Sequence, residues 1–188
     1  STLEEGCMPI GELLIAGKSK KEYLISTYVC HPSLVNDNLS GVILTAFLAK
    51  KLLGKKNNFS YRIIFVPETI GAITYCANHE SIMKDIDSGF VITCVGGPGK
   101  FSYKQSFTQT HFINNIIEEV FQDNNIDYIT YQFHNLGSDE RQYSSIAFRI
   151  NVASICRDKY YEYDFYHTSL DNLDFVKAEN INKSLDIY

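Results

Sequence analysis

Residues 23–53 read YLISTYV, CHPSLVNDNLSG and VILTAFLAKKLL in succession. The first seven residues form a mostly apolar run rich in β-branched and aromatic side chains, which is typical of a buried strand. In the last segment the apolar side chains recur at helical spacing and end beside Lys50 and Lys51, as at a helix C-terminus. A strand, a short polar loop and a helix in this order are the repeating unit of α/β proteins, so the stretch predicts that class.

The rest of the chain repeats this alternation. We predict strands at residues 10–16, 22–29, 61–66, 89–95, 126–133 and 147–155, and helices at 40–53, 72–84, 111–122 and from just after 174. The pattern favours a three-layer α/β/α sandwich with a mixed, mostly parallel central sheet and helices on both faces. We expect residues 1–188 to be a single domain and, from the abrupt start and the unfinished last helix, a fragment of a longer chain.

Composition narrows the classes of function. The chain has 188 residues, of which 45% are hydrophobic and 21% charged, as in an ordinary soluble domain. A formal charge of −5 argues against nucleic acid as a partner, because phosphate binding needs a basic face. No apolar run approaches the roughly 20 residues of a membrane span, and the N-terminus lacks a signal-peptide pattern. Five cysteines without a CxxC pair favour reduced thiols and a cytoplasmic location.

Polar residues that can bind a metal follow several of the apolar runs. His31 and Asp37 follow the strand at 22–29, and His167 lies in a late loop. Because ligands bind at the carboxyl ends of strands in α/β sheets, we expect these side chains to meet. A catalytic zinc uses about three protein ligands and an open position, which these two imidazoles and one carboxylate would supply. The alternative for Asp37 is capping of the following helix.

Glu68 directly follows the buried strand at 61–66, where a charged side chain is costly without a partner. We predict that it is the general base, with a solvent-exposed glutamate as the alternative. Asp139 and Glu140 lie in the polar loop GSDERQ. We predict that they bind the substrate's amino group; the alternatives are that Asp139 orients a metal ligand and that the loop is simply solvated. Cys30 is expected to be a small packed hydrophobe facing away from His31, rather than a ligand or nucleophile.

Four segments together resemble the zinc aminopeptidase superfamily that includes glutamate carboxypeptidase and glutaminyl cyclase. They are His31 with the motif DNLSG at 37–41, ETIG at 68–71, the Ser-Asp pair at 138–139, and His167. The combination CHPS and NDNLSG is closer to a bacterial aminopeptidase-like subgroup often found near polysaccharide biosynthesis functions. The resemblance covers the chain from about residue 11 to the last helix. It implies the zinc-peptidase fold, Glu68 as the base, and His31, Asp37 and His167 as zinc ligands.

Three departures from that superfamily reduce the expected metal content. Ser33 stands where an aspartate is usual, Thr69 where a second glutamate binds zinc, and residues 93–97 offer no carboxylate. The resemblance therefore implies one zinc ion rather than two. We predict a zinc hydrolase of aminopeptidase type acting on a small peptide or amide next to a free amino group. The alternatives are an amidase or deacylase acting on an amino-sugar precursor and a binding module that keeps metal without turnover.

Overall fold

The computed structural model describes residues 6–188, which form a seven-stranded sheet and six helices. The strands are β1 (Gly11–Ile15), β2 (Glu22–Tyr28), β3 (Ser60–Val66), β4 (Ser88–Val91), β5 (Phe101–Lys104), β6 (Tyr128–Tyr131) and β7 (Asn151–Arg157). The helices are α1 (Gly41–Leu53), α2 (Ile70–Asn78), α3 (Glu80–Asp85), α4 (Phe112–Asp123), α5 (Glu140–Tyr143) and α6 (Ala178–Ile187). Each helix within these residues is too short or too polar to serve as a membrane span.

The sheet has the order β1-β3-β2-β4-β7-β5-β6. Strands β2, β3, β4 and β7 run parallel, β1 is antiparallel to β3, and β5 is antiparallel to β7. Strand β6 is parallel to β5. The predicted α/β class with a mixed, mostly parallel sheet is therefore confirmed. The four parallel central strands end at one edge of the sheet, which is where a ligand is expected in such a fold.

Alternate side chains of the central strands pack into cores on opposite faces of the sheet, as the period of two requires. Leu24 packs with α2, α3 and α5, whereas the adjacent Ile25 packs with α1 and α6. Helix α4 covers β5 and β7, where Phe121 is fully buried. The helices on the two faces complete the predicted three layers.

Some predicted elements have different bounds. The helix expected at 72–84 is two helices, because His79 has a non-helical backbone (φ −123°, ψ 33°) between α2 and α3. The strand expected at 89–95 stops at Val91, and the next residues turn toward the sheet edge. The short elements β5 and α5, of four residues each, were not predicted.

Two local features bring helices close to the strand ends. An irregular helical turn, Val35–Ser40, connects β2 to α1, and Asp37 and Asn38 within it have non-helical dihedral angles. After β3, Gly71 lies so near the strand that a Cβ atom would approach Pro67 Cδ at 2.6 Å. Glycine is therefore needed for α2 to begin close to the sheet, as expected from its position after Glu68.

Candidate metal centre

Three strand-associated segments and one late loop meet at the carboxyl edge of the sheet. His31 follows β2, Asp37 lies in the irregular turn before α1, Glu68 follows β3, and His167 lies between β7 and α6. His31 and His167 both have positive φ angles, 51° and 57°. These left-handed conformations are uncommon outside glycine, so the surrounding structure holds the backbone of both histidines in place.

Asp37 lies between the two histidines. Its Oδ2 atom is 3.6 Å from His31 Nδ1 and 3.2 Å from His167 Nε2. The imidazole rings are themselves close, with centroids 4.6 Å apart. One donor atom from each of the three residues lies within 4.8 Å of the others. The structure thus brings together the three residues that the sequence suggested as ligands.

Asp37 is oriented by hydrogen bonds rather than by helix capping. Tyr28 Oη donates to Asp37 Oδ1, which leaves Oδ2 directed at the histidines. The carboxylate of buried Asp171 accepts from the backbone N–H groups of Asn36 and Asp37 at 2.6 and 3.0 Å. Asp171 therefore fixes the turn that carries Asp37. Asp37 itself makes no side-chain cap to α1.

These residues fit a zinc ion by two criteria. Ligands about 2.0–2.2 Å from a tetrahedral zinc lie about 3.3 Å from each other, close to the two distances measured from Asp37 Oδ2. Burial raises the pKa of Asp37, while the hydrogen bond from Tyr28 and the two histidines oppose that rise. A buried carboxylate is costly unless a cation or hydrogen bonds compensate for its charge. A dication at this point would provide that compensation.

Glu68 is held beside this cluster. Ser138 Oγ donates to Glu68 Oε1 at 2.6 Å. The other oxygen, Oε2, is 3.9 Å from His31 Nε2 and accepts a weak hydrogen bond from Cys30 Sγ at 3.5 Å. Glu68 therefore presents Oε2 toward the cluster while Oε1 is fixed, an arrangement suited to a base that exchanges a proton.

Cys30 does not face away from His31, so that expectation is wrong. Its Sγ atom is 3.1 Å from His31 Nδ1, because the chain turns sharply after β2 instead of continuing the alternation of a strand. Burial, reinforced by the Glu68 carboxylate, raises the pKa of the Cys30 thiol to about 12. A nucleophilic cysteine needs a lowered pKa, so this environment disfavours that role.

Asp139 and Glu140 are both buried. Asp139 Oδ1 accepts from the Thr69 N–H at 2.7 Å, and burial raises the pKa of Asp139 to about 7. Glu140 pairs with Lys104 Nζ at 2.9 Å and accepts a hydrogen bond from Tyr160. Both acids are thus engaged with protein groups, and this geometry offers no support for the prediction that they bind a substrate's amino group.

The positions that lack the superfamily's carboxylates hold neutral side chains in other roles. Ser33 lies in the exposed part of the loop, and the Thr69 hydroxyl accepts from Arg141. Thr93 Oγ1 is 2.6 Å from Tyr28 Oη, the same hydroxyl that donates to Asp37. The remaining histidines have structural or exposed positions: His79 stacks on Tyr75, His111 caps α4 and His134 is exposed.

Sequence reasoning missed several residues that orient the site. Tyr28, Ser138 and Asp171 hold the ligands and the base through the hydrogen bonds described above. In the sequence, Ser138 stands out only as part of the Ser-Asp motif, and Asp171 carries no motif that marks it. A buried tyrosine at the end of β2 gives no sequence signal of its own, because aromatic residues are common in strands.

Known proteins share this architecture. A candidate polysaccharide biosynthesis protein with an aminopeptidase-like domain, from Clostridium acetobutylicum, is 43% identical over all of this chain, which spans 43% of that protein. The crystal structure of a candidate peptidase from the same organism has a TM-score of 0.92 and 42% identity, covering 95% of this chain and 42% of that one. A zinc aminopeptidase from Bacillus subtilis has a TM-score of 0.77 at 17% identity, covering 95% of this chain and 47% of that one.

The last of these similarities shows the fold alone, because its sequence identity is low. The chain spans less than half the length of the Clostridium relative, so the activity of a whole protein is not transferred by the match. A family profile covers every residue of the sequence, 1–188. The chain therefore belongs to the family described as a domain of unknown function, DUF4910.

Proposed function

We propose that this chain is a zinc-dependent hydrolase of aminopeptidase type, cleaving a peptide or amide bond next to a free amino group. One observation carries the proposal: Asp37 Oδ2 lies 3.6 and 3.2 Å from nitrogens of His31 and His167, with Glu68 Oε2 beside the same cluster. The aminopeptidase-like domain of the Clostridium relative and the shared fold of the Bacillus zinc aminopeptidase support it.

His31, Asp37 and His167 would hold one zinc ion. When bound, zinc supplies Lewis-acid polarisation of the scissile carbonyl and lowers the pKa of the attacking water. Tyr28 keeps one oxygen of Asp37 occupied, so that the other remains available for the ion.

Glu68 would transfer the proton from the attacking water to the leaving nitrogen. Ser138 fixes Oε1, so Oε2 is the atom that accepts a proton from the attacking water. The same atom then returns the proton to the leaving nitrogen, which departs as a neutral amine. The reaction consumes one water molecule and leaves Glu68 ionised for the next cycle.

Metal content is the first test. We expect about one zinc per wild-type chain by elemental analysis, and loss of it in both His31→Ala and His167→Ala. His134→Ala, at an exposed histidine outside the cluster, is the matched control and retains zinc. A wild-type chain that binds no divalent metal would overturn the proposal.

Glu68→Gln separates catalysis from binding. The amide keeps the size of the side chain and loses the base, so we expect retained zinc and a fall in kcat of about a hundredfold or more. If wild type and Glu68→Gln bind zinc equally and neither hydrolyses aminoacyl amides or N-acylated amino sugars, the chain is a binding module.

The second candidate is an amidase or deacylase acting on an amino-sugar precursor. The description of the Clostridium relative as a candidate polysaccharide biosynthesis protein favours it. The same residues would perform the reaction, because hydrolysis of an N-acyl group also requires a polarised carbonyl and a protonated leaving nitrogen. Comparing kcat/KM for aminoacyl amides and for N-acetylated amino sugars distinguishes the two.

A further inference from the structure

Arg141 is a cation beside the general base that the proposed mechanism does not use. It lines a cavity of about 120 Å³ together with Glu68, His167 and four tyrosines, Tyr28, Tyr160, Tyr161 and Tyr166. Arg141 lies in the short helix α5, directly after the loop that supplies Ser138 to Glu68. A molecule that reaches Glu68 through this cavity therefore passes within reach of the guanidinium.

The guanidinium of Arg141 has unused hydrogen-bonding capacity. Among the residues that the structure describes, Arg141 donates from Nη2 to Thr69 Oγ1 at 3.3 Å, and its buried Nε has no acceptor. Within residues 6–188, no carboxylate oxygen lies within 4.0 Å of its nitrogens, whereas Arg62 in β3 contacts both Glu12 and Glu22. Partly buried donors without acceptors are costly, which points to an acceptor supplied from outside the chain.

The acidic groups near Arg141 form no direct ion pair with it in the part of the chain that the structure describes. Asp139 uses Oδ1 to accept from the Thr69 N–H, and Glu140 is paired with Lys104. Glu68 lines the same cavity, but its oxygens face Ser138 on one side and the His31 region on the other. The positive charge of Arg141 therefore remains available at the cavity wall.

The lining of the same cavity is largely aromatic. Tyr161 is 62% exposed and its ring lies 4.9 Å from that of Tyr166, which in turn stacks on His167 with centroids 3.9 Å apart. Exposed aromatic rings beside a cationic group suit a ligand with an apolar face and an anionic end.

We propose that Arg141 recognises an anionic oxygen group of the substrate, a carboxylate or a phosphate, while Tyr161 and Tyr166 contact the substrate's apolar body. The planar guanidinium can bind either group through two parallel N–H donors. This inference rests on the proposed function in one respect: it takes the Glu68 cavity as the reaction site. It extends that function by naming the substrates as acidic.

Binding of small probes tests the proposal without turnover. Glutarate and inorganic phosphate carry the two anionic groups, and glutaramide is the neutral match for glutarate. By calorimetry, we expect wild type to bind at least one anion about tenfold or more tightly than glutaramide, as a charge-assisted hydrogen bond would give. Arg141→Gln should lose this preference, and Arg149→Gln, at an exposed arginine outside the cavity, should keep it. The tighter-binding anion identifies which group the site takes.

Each titration is made with zinc-loaded and with chelator-treated protein, because a carboxylate or phosphate can also bind zinc. A preference that Arg141→Gln abolishes in both states belongs to the arginine. An anion preference that survives in Arg141→Gln, or a wild type without preference in either state, overturns the proposal. Melting temperature and zinc content of Arg141→Gln, both expected at wild-type values, separate this result from unfolding and from failure of the zinc site.

Discussion

Replacing Asp139 with asparagine should change how stability depends on pH. Asp139 is fully buried, and burial raises the pKa of its carboxyl from 3.8 to about 7. At pH values between these two pKa values, Asp139 is protonated in the folded chain and ionised in the unfolded chain. The free energy of unfolding of wild type therefore falls as pH rises from about 4 to 7, and this contribution is constant above pH 7. Asparagine does not titrate, so Asp139→Asn should not show this fall.

The size of the effect follows from the two pKa values. A difference of about three pH units corresponds to about 4 kcal/mol at 1.36 kcal/mol per unit. About 2.5 kcal/mol of this should appear between pH 5 and pH 8, where most urea titrations are practical. The asparagine Oδ1 can still accept from the Thr69 N–H, and any cost of placing an amide at the unpartnered Oδ2 position is the same at every pH.

Urea unfolding of wild type and Asp139→Asn at four pH values between 5 and 8 measures this difference directly. Asp123→Asn, at an exposed position of α4, controls for the removal of one carboxylate. Relative to wild type, Asp139→Asn should become steadily more stable as pH rises. A difference that stays constant from pH 5 to pH 8 would refute the assignment of Asp139 as a buried carboxyl with a raised pKa.

Three further substitutions test the site and its support. Ser138→Ala should retain zinc but lower kcat about tenfold, because Glu68 loses the hydrogen bond that fixes Oε1; an unchanged kcat would contradict that positioning role. Cys30→Ala should keep activity within about threefold, since a thiol with a pKa of about 12 is not a nucleophile, and a loss above a hundredfold would assign it one. Gly89→Ala should lower the free energy of unfolding by about 3 kcal/mol, because the added Cβ atom would lie 2.1 Å from the backbone oxygen of Leu24 in β2. Urea titration measures this change. Gly54→Ala is the control and should leave the free energy of unfolding nearly unchanged, since its added Cβ atom would have its nearest neighbour at 3.6 Å.

The sequence was most informative where local pattern and fold agree. The run from β2 through the polar loop to α1 has clear strand and helix periods, so both elements and the position of the loop between them were predicted closely. His31, Asp37 and Glu68 then fall at strand ends, and parallel strand ends share an edge of the sheet. Their proximity was therefore predictable from element order, without knowledge of side-chain contacts.

The orientation of the loop at 137–142 was not predictable in the same way. Its residues are polar and charged, which is equally typical of a solvated surface loop. In the structure Ser138 contacts Glu68 and Asp139 contacts Thr69, each across 70 positions in sequence. Such long-range hydrogen bonds turn the loop inward and bury Asp139, and a single sequence carries no period that reports them.

The short elements were missed for a related reason. Strand β5 has four residues and follows a glycine-rich turn, so it is too short to show alternation. Its pairing with β7 and β6 supplies the hydrogen bonds that make it a strand. Helix α5 is a single turn, which isolated sequence propensity does not stabilise. In both cases tertiary contacts decide the conformation.

The charge of the site favours one zinc ion over two under the proposed function. Asp37 and Glu68 are the acids of the cluster, and together they balance one dication. A second dication would have to be held by Thr69 and Thr93, whose hydroxyls are engaged with Arg141 and Tyr28. The cluster has no further carboxylate to compensate the two positive charges of this second ion. Because the site is partly buried, binding the ion there would cost much free energy of desolvation. With a single ion the charges of Asp37 and Glu68 are balanced, and Arg141, which has no direct ion pair within residues 6–188, remains to attract an anionic substrate.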